Sequence, residues 1–560
     1  MAFLSTAQTL LPSREDAAST QILHGALLLV YGWVVYQVSR AVWHISPFHP
    51  LSHIPGPRLA AATYLPEFWY DCVKFGRYTS QIARWHDIYG PIVRINPDEV
   101  HCNDSRFVDE IYAVGGRKRN KPAHQVSMVT QFAGFNTVDH DLHRQRRGPL
   151  AKFFSRAQIA RLEPEVERMV QTLCDKMLKL GTRAGAGPFD VQTAYSCCTT
   201  DAISAYCFGD SFGFLAQEGW EPNFRRPLYS MLRTIFFFRF FAWVKYLVPL
   251  SGMFMRFMPE DTAIFLRTLG TDIPLLVNKA KSDLSSDNSP SPSPSHPRPT
   301  VFASLLTSPL PAREKRVARL TAEAAALIGG GTETVSWALS VATYHLLTKP
   351  DVLARLTSEL KTVVDDPLRL PSWTVFEKLP YAGAVVSEAL RLSYGVSSRT
   401  ARVPVEEAIV WRGRWRRRGG PNRSSNSSSK SNEKECEGGV ELEYVIPRGY
   451  AIGMSAAIMH HDESIFPDSH AFLPERWLEA DGVTRRRDLD KGFMAFGKGS
   501  RACVGMNLGQ CELYLMLAAL TLRVFPRMRL HDTTEEDIRY DHDMQVPMTK
   551  DGRGVRVVII

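Results

Sequence analysis

Cysteine is scarce and scattered: nine in 560 residues, an odd number without the close spacing of a small secreted disulfide domain. That argues against a disulfide framework and points to a reducing compartment for most of the chain. Strand-like runs are few as well. "PIVRINPDEVHC", "EYVIPRGYAIGMS" and "GVRVVII" are short and far apart, so the expected class is mainly α with small β-sheets. No internal repeat is visible, and no flavin or nicotinamide segment, so any electrons the chain uses come from a separate protein. Outside one patch the charge is nearly balanced: six of the net +9 are Arg412, Arg414, Arg416, Arg417, Arg418 and Arg423. Only Trp411 and Trp415 accompany these arginines, a poor match to a nucleic-acid surface, and no nucleic acid is expected as a partner.

What is present is an ordinary globular composition, 44% hydrophobic and 22% charged, able to bury a large core and incompatible with wholesale disorder. Length alone allows about three or four domains. Near the start, "QILHGALLLVYGWVVYQVSRAVW" offers residues 22–43 as a helix about 33 Å long, enough to cross a bilayer. The flank "SREDAAS" carries two acids and one arginine, unlike the basic leader of a cleaved signal peptide, so an uncleaved anchor is expected. Arg40 and Arg58 follow the apolar run, which puts the body in the cytosol and residues 1–21 in the lumen as a short tail. Residues 44–60, with Pro47, Pro50, Pro55 and Pro57, read as a stiff hinge. Residues 61–560 read as the main body, interrupted by low-complexity loops at 282–300 and 412–439 that cannot bury a core. Two helices stand out: an amphipathic one in "KPDVLARLTSELKTVVDD", and one apolar on nearly all sides over 320–349, suited to the middle of a large domain.

Cys503 is framed more tightly than any other cysteine, in "AFGKGSRACVG". A structural thiol, a nucleophile and a metal ligand are the three readings. Zinc is disfavoured, because the nearest cysteine, Cys511, lies eight residues on in an apparent helix. Gly497, Gly499 and Gly505 indicate close approach of the backbone to something, as a flat cofactor would demand. A thiolate on iron needs amides or positive charge nearby, and a glycine-rich turn entering a helix supplies amides and a dipole. Arg501 would reach an acidic group at the cofactor's edge, and Phe496 would shield the sulfur. Phe496, Gly499, Arg501, Cys503 and Gly505 resemble F-x-x-G-x-R-x-C-x-G, the haem-ligand loop of the cytochrome P450 family, which makes Cys503 the expected axial ligand of the iron.

The resemblance spans roughly 54–560 outside the low-complexity loops, and so implies one large domain of the cytochrome P450 fold behind the anchor. Glu388 and Arg391 in "SEALRLS" resemble the family's E-x-x-R, and "PERW" its P-E-R-F element with Trp477 for phenylalanine. By resemblance Arg476 completes a buried network that props up the cysteine loop. In "GGGTETVSW", Gly330, Gly331, Glu333 and Thr334 resemble the oxygen-activation segment. There Thr334 would hydrogen-bond dioxygen and Glu333 relay protons, while Val335 departs from the usual hydroxyl and removes it from the relay. Three glycines in a helix interior cost about 1 kcal/mol each, so a local opening of the helix is expected. His143 stands where the family has tryptophan, four residues before Arg147, and both are expected at a haem propionate. Arg402 is a further propionate candidate, Arg399 the lesser one; Arg144 and Arg146 are equally well a solvated basic face.

The implied activity is that of a haem-thiolate monooxygenase with haem b, dioxygen and electrons from NADPH through cytochrome P450 reductase, docking near the cysteine loop where Lys498 contributes. "EALRLSYGVSSRTARVP" resembles membrane-bound fungal members of secondary metabolism, which implies the endoplasmic reticulum membrane, a single span and a lipophilic terpenoid or polyketide substrate. Residues 234–248 read equally as core or as an access lid at the bilayer surface, and residues 121–136 as substrate contacts. The alternatives are a haem-thiolate peroxide isomerase or dehydratase, which would have no use for Glu333 and Thr334, and a non-enzymatic basic membrane protein. Glycosylation at Asn103, Asn422 or Asn426, each opening an N-x-[ST] sequon, would contradict the cytosolic assignment.

Overall fold

The computed structural model describes residues 14–126, 130–183, 187–241, 243, 259–285, 300–415 and 440–560. Most of both low-complexity loops, the end of the 234–248 stretch and Asn422 and Asn426 lie outside the described residues. Helix α1 (Arg14–Ile45) starts before the expected span, and its apolar run Ile22–Ile45 is not buried by the rest of the chain. Leu28, Leu29 and Trp33 stand exposed. Apolar side chains at that length need an apolar solvent, and the helix is long enough to cross a bilayer, consistent with a membrane anchor.

The proline-rich stretch after α1 is fastened to the body. Strand β1 (Ile92–Asn96) donates its Arg94 amide to the Pro55 carbonyl at 2.8 Å, and the Arg94 guanidinium reaches the His44 carbonyl at 3.0 Å. Leu51 and Ile54 are buried, so the stretch after α1 is packed onto the body. Strand β2 (Glu99–Cys102) pairs antiparallel with β1.

Helices α2 (His140–Phe153), α3 (Arg156–Gly181), α4 (Val191–Phe208), α5 (Arg225–Leu232) and α6 (Ile235–Phe240) lead to the central α7 (Val317–Thr348). The all-round apolar reading of 320–349 holds: α7 is buried over most of its length and packs hardest on α4, which is buried from Val191 to Cys207. A Cβ on Gly331 would come within 3.0 Å of Ile203 on α4, so this glycine is a helix-packing residue. Beside it the Thr199 hydroxyl donates to the Thr332 carbonyl at 2.9 Å. The amphipathic helix over Pro350–Leu360 follows, with Leu356 and Leu360 buried.

Helix α8 (Pro380–Ser393), strands β3 (Ile409–Trp415), β4 (Val440–Ile446) and β5 (Ala451–Gly453), and α9 (Met506–Ala519) complete the frame. β5 extends the first sheet in parallel with β2. The loop boundaries are corrected here. Residues 412–415 belong to β3, where Arg412 and Arg414 pair across the strand with Glu443 and Glu441. Trp411 is buried and Trp415 lies against Gly90, and those two aromatic anchors extend the strand to the edge of the arginine run. Likewise Ile273–Ser285 is helical, and Thr300 caps the next helix by accepting the Ala303 amide at 3.2 Å. α9 is itself apolar enough to span a membrane but is mostly buried; it is a core helix.

Candidate active site

The cysteine loop closes on itself. The Cys503 amide donates to the Phe496 carbonyl and the Gly497 amide to the Met494 carbonyl, both at 2.8 Å. Gly497 and Gly499 have φ of 64° and 73°, left-handed values that favour glycine. At Gly499 a side chain would also run into the Tyr112 backbone carbonyl, so this glycine answers to another backbone segment rather than to a cofactor. Gly499→Ala is therefore expected to cost about 2 kcal/mol or more, and Gly497→Ala, whose Cβ would find only Ala502 at 3.9 Å, clearly less; thermal unfolding of the two variants checks the difference.

Cys503 is accessible, yet protein crowds it enough that burial pushes its thiol up from the ordinary value, against the pull of the Gly505 amide and Arg147. A thiol so placed ionises when a metal cation takes the sulfur, and the amide and guanidinium are the groups that then share its charge. Gly505 immediately precedes α9, and a Cβ there would sit 4.0 Å from the sulfur.

Around the loop lies a set of cations whose guanidiniums bond carbonyls, with Asp139 the acid nearest Arg501. Arg501 donates to the carbonyls of Thr137 at 2.6 Å, Val138 at 2.8 Å and Asp139 at 3.3 Å, and its buried Nε has no partner among the described residues. Arg402 is buried, and its guanidinium donates to the Thr400 and Ala401 carbonyls. Burial, and then Arg402, push Arg501 down to about 9. Burial, and then Arg501, Arg147 and Arg402, push His143 down to about 3, so His143 is neutral here. Lys121, which the sequence reading passed over, is pushed well down by burial and then by Arg402 and Arg501. No carboxylate side chain bonds Arg402 or Arg501 among the described residues. Like charges crowded this way call for an anion, and the two propionates of a haem beside a thiolate sulfur fit the donor set.

The neighbouring arginines are spent elsewhere. Arg399 bonds Glu67 and Glu99 and faces Asp71. Arg146, half expected on a solvated face, donates to Glu314 at 2.7 Å, whereas Arg144 is exposed. Lys498 donates its ammonium to the Asp490 carbonyl at 2.7 Å.

On α7 the expected opening is absent: the helix is continuous through the glycines. Gly330 has open space where a side chain would be, and half-buried Thr334 donates its hydroxyl to the Gly330 carbonyl at 2.8 Å. Val335 is buried and packs toward Gly509 of α9, so its missing hydroxyl takes nothing from a relay on the Thr334 face. Glu333 is buried and turned to α4 and α5, accepting from Gln192 Nε2 at 2.6 Å and from the Tyr229 hydroxyl. Burial pushes its carboxyl up to about 7, which leaves it exchanging protons at neutral pH.

Glu388 is fully buried and accepts from Arg391 at 2.7 and 2.9 Å, Arg476 at 3.0 Å, the Leu473 amide at 2.9 Å and Trp477 Nε1 at 2.8 Å. The tryptophan that replaces phenylalanine thus adds a donor. His460 carries the network to the cysteine loop: its Nδ1 donates to the Arg391 carbonyl at 2.7 Å and its Nε2 accepts the Met494 amide at 2.8 Å. Nothing in the local sequence singles out His460.

The aromatic stretch is neither plain core nor plainly exposed. Phe236 is buried, Phe237 and Trp243 are exposed, and Phe240 packs edge-on against Phe68 at 5.3 Å. Arg239 is drawn under α6 to Glu67 and Asp71.

The family model for "Cytochrome P450" matches residues 66–414 and 429–552. Among curated proteins, the "Cytochrome P450 monooxygenase ppzE" of Metarhizium majus is 39% identical over 492 residues, 84% of this chain and 94% of the relative. The "Cytochrome P450 monooxygenase MO6277" of Ascocoryne sarcoides is 36% identical, over 96% and 98%. The "Tryptophan 6-hydroxylase fscE" of Fusarium equiseti is 34% identical, over 96% and 97%.

Proposed function

The chain belongs to the cytochrome P450 family, and from that premise we propose a membrane-anchored haem-thiolate monooxygenase that takes electrons from NADPH through cytochrome P450 reductase and puts one oxygen atom of O2 into a lipophilic substrate. The observation that carries the reading is the pairing of Cys503, backed by the Gly505 amide and Arg147, with Arg402 and Arg501, which no carboxylate side chain bonds among the described residues. Haem b held there supplies the redox chemistry that cleaves dioxygen. Arg402 and Arg501 hold its propionates, with His143 and Arg147 beside them, and Phe496 and Gly505 flank the sulfur.

The other residues act around that group. Thr334 presents its hydroxyl on the half-buried face of α7 next to the open side of Gly330 and hands over protons, and Glu333 stores them. Glu388, Arg391 and Arg476 hold the loop in place. Because the family consists of enzymes, the non-enzymatic reading falls. A peroxide isomerase would leave a buried acid with a carboxyl near 7 unused, which disfavours that alternative. The substrate proposed is a secondary metabolite of terpenoid or polyketide type, in keeping with the fungal origin of the relatives. The named tryptophan hydroxylase supports a second reading, an indole substrate. The unburied α1, with Arg40 in its C-terminal part and Arg58 beyond it, supports a single span in the endoplasmic reticulum membrane with the body cytosolic.

The test is turnover by the purified protein with reductase, NADPH and extracts of the producing organism under isotopically heavy dioxygen. A product carrying one labelled oxygen supports the reading; turnover without O2 or NADPH overturns it. Thr334→Val, which keeps shape and removes the hydroxyl, is expected to lower product per NADPH about tenfold or more with hydrogen peroxide released instead, measured as coupling efficiency.

A further inference from the structure

Glu333 is held from one side only. Its Oε1 takes Gln192 and Tyr229, and its buried Oε2 has no hydrogen-bond partner among the described residues. Arg225 fixes the arrangement, donating to Gln192 Oε1 at 2.6 Å and pairing with Asp190. The amide nitrogen of Gln192 is therefore the end that faces Glu333. An amide does not pass a proton at neutral pH; a phenol does, giving up its O–H proton as its oxygen accepts another. Gln192 is buried, Tyr229 is half-buried, and the Arg225 and Asp190 side chains are 14% and 17% exposed, so the network meets water on the Tyr229 side.

We propose that Tyr229 is the proton inlet of Glu333: it positions the carboxyl toward α4 and α5 and reprotonates it from solvent each time Glu333 gives a proton to the Thr334 face. The Tyr229 O–H bond breaks as the carboxyl O–H forms, a proton from water restores the phenol, and no electrons move. The inference rests on the reading of Glu333 as the acid of the site. The charged and titratable groups around that acid are Arg225 and Tyr229 on α5 and Asp190 ahead of α4, with neutral Gln192 on α4. Tyr229 acts through Glu333 and is in that sense a positioning residue.

Tyr229→Phe tests this, since it keeps the ring at 5.2 Å from the Arg225 guanidinium and removes only the hydroxyl. In the resting holoenzyme the infrared carboxyl band assigned by Glu333→Gln titrates near pH 7, and its midpoint rises in Tyr229→Phe, because a bond that favoured the carboxylate is gone. In turnover, product per NADPH falls about threefold or more and the solvent isotope effect increases. In a Glu333→Gln background the same substitution changes neither. An unmoved band with unchanged coupling, or an equal loss in the Glu333→Gln background, overturns the role of Tyr229. Wild-type coupling in Glu333→Gln alone overturns the reading of Glu333 itself. The reduced, carbon monoxide-bound spectrum, unchanged in all three proteins, shows that each is folded around its haem.

Discussion

Cys503→Ser yields a folded protein whose reduced, carbon monoxide-bound spectrum lacks the red-shifted thiolate band and whose turnover falls roughly a thousandfold or more. The reason lies in what the loop provides. Burial holds the thiol up, and one amide and one guanidinium offset it, so the site is balanced for a soft sulfur whose charge a metal shares. A serine hydroxyl in the same place is far harder to ionise, and the amide and Arg147 cannot make up the difference. The loop itself survives, because its closure uses the Cys503 amide and the Phe496 carbonyl, which the substitution keeps. Cys511→Ala, in the buried face of α9, is the control and retains the band. A red-shifted band in Cys503→Ser, or its absence from the wild-type holoenzyme, would sink the assignment.

Legibility followed the range of each interaction. Local spacing showed the cysteine loop, the Glu388/Arg391 pair and the acid–threonine pair, because each motif is a few residues long. It misread the glycines. The need at Gly499 is set by Tyr112 and that at Gly331 by Ile203, partners hundreds of residues away in the first case and on another helix in the second. Val335 was misjudged for the same reason: its face of α7 is decided by α9. Arg399 and Arg402 lie three apart in one extended stretch, and only the acids Glu67, Asp71 and Glu99 brought in from the N-terminal elements separate the spent arginine from the available one. Tyr229, Lys121 and His460 carry no motif at all; their roles come from what the fold sets opposite them.

Glu388→Gln has the second large effect, a loss of about 3–5 kcal/mol that is read as haem-free, heat-labile protein rather than as altered chemistry. The carboxylate serves Arg391, Arg476, Trp477 and the Leu473 amide together. An amide of the same shape turns an NH2 group toward buried donors and leaves two guanidiniums uncompensated. Trp477→Phe removes one neutral donor and is expected to cost about 1–2 kcal/mol, with haem retained; differential scanning calorimetry and haem content separate the two cases. The same network gives acid sensitivity with a definite sign. Burial, then Arg391, push His460 down to about 3, and only its neutral ring can accept the Met494 amide. A histidine depressed in the folded state leaves stability level above its unfolded value near 6.5 and erodes it as pH falls from there toward 3. Burial opposes ionisation of Glu388, but Arg391 and Arg476 hold its carboxyl below the ordinary 4.5, so its share is present above 4.5 and is lost as pH falls through the lower folded value. The contributions of His460 and Glu388 to the melting temperature should therefore be level above about pH 6.5 and drop in two stages below it, the first blunted in His460→Gln and the second blunted in Glu388→Gln; a single stage unaffected by either substitution would place the acid-sensitive groups elsewhere in the fold.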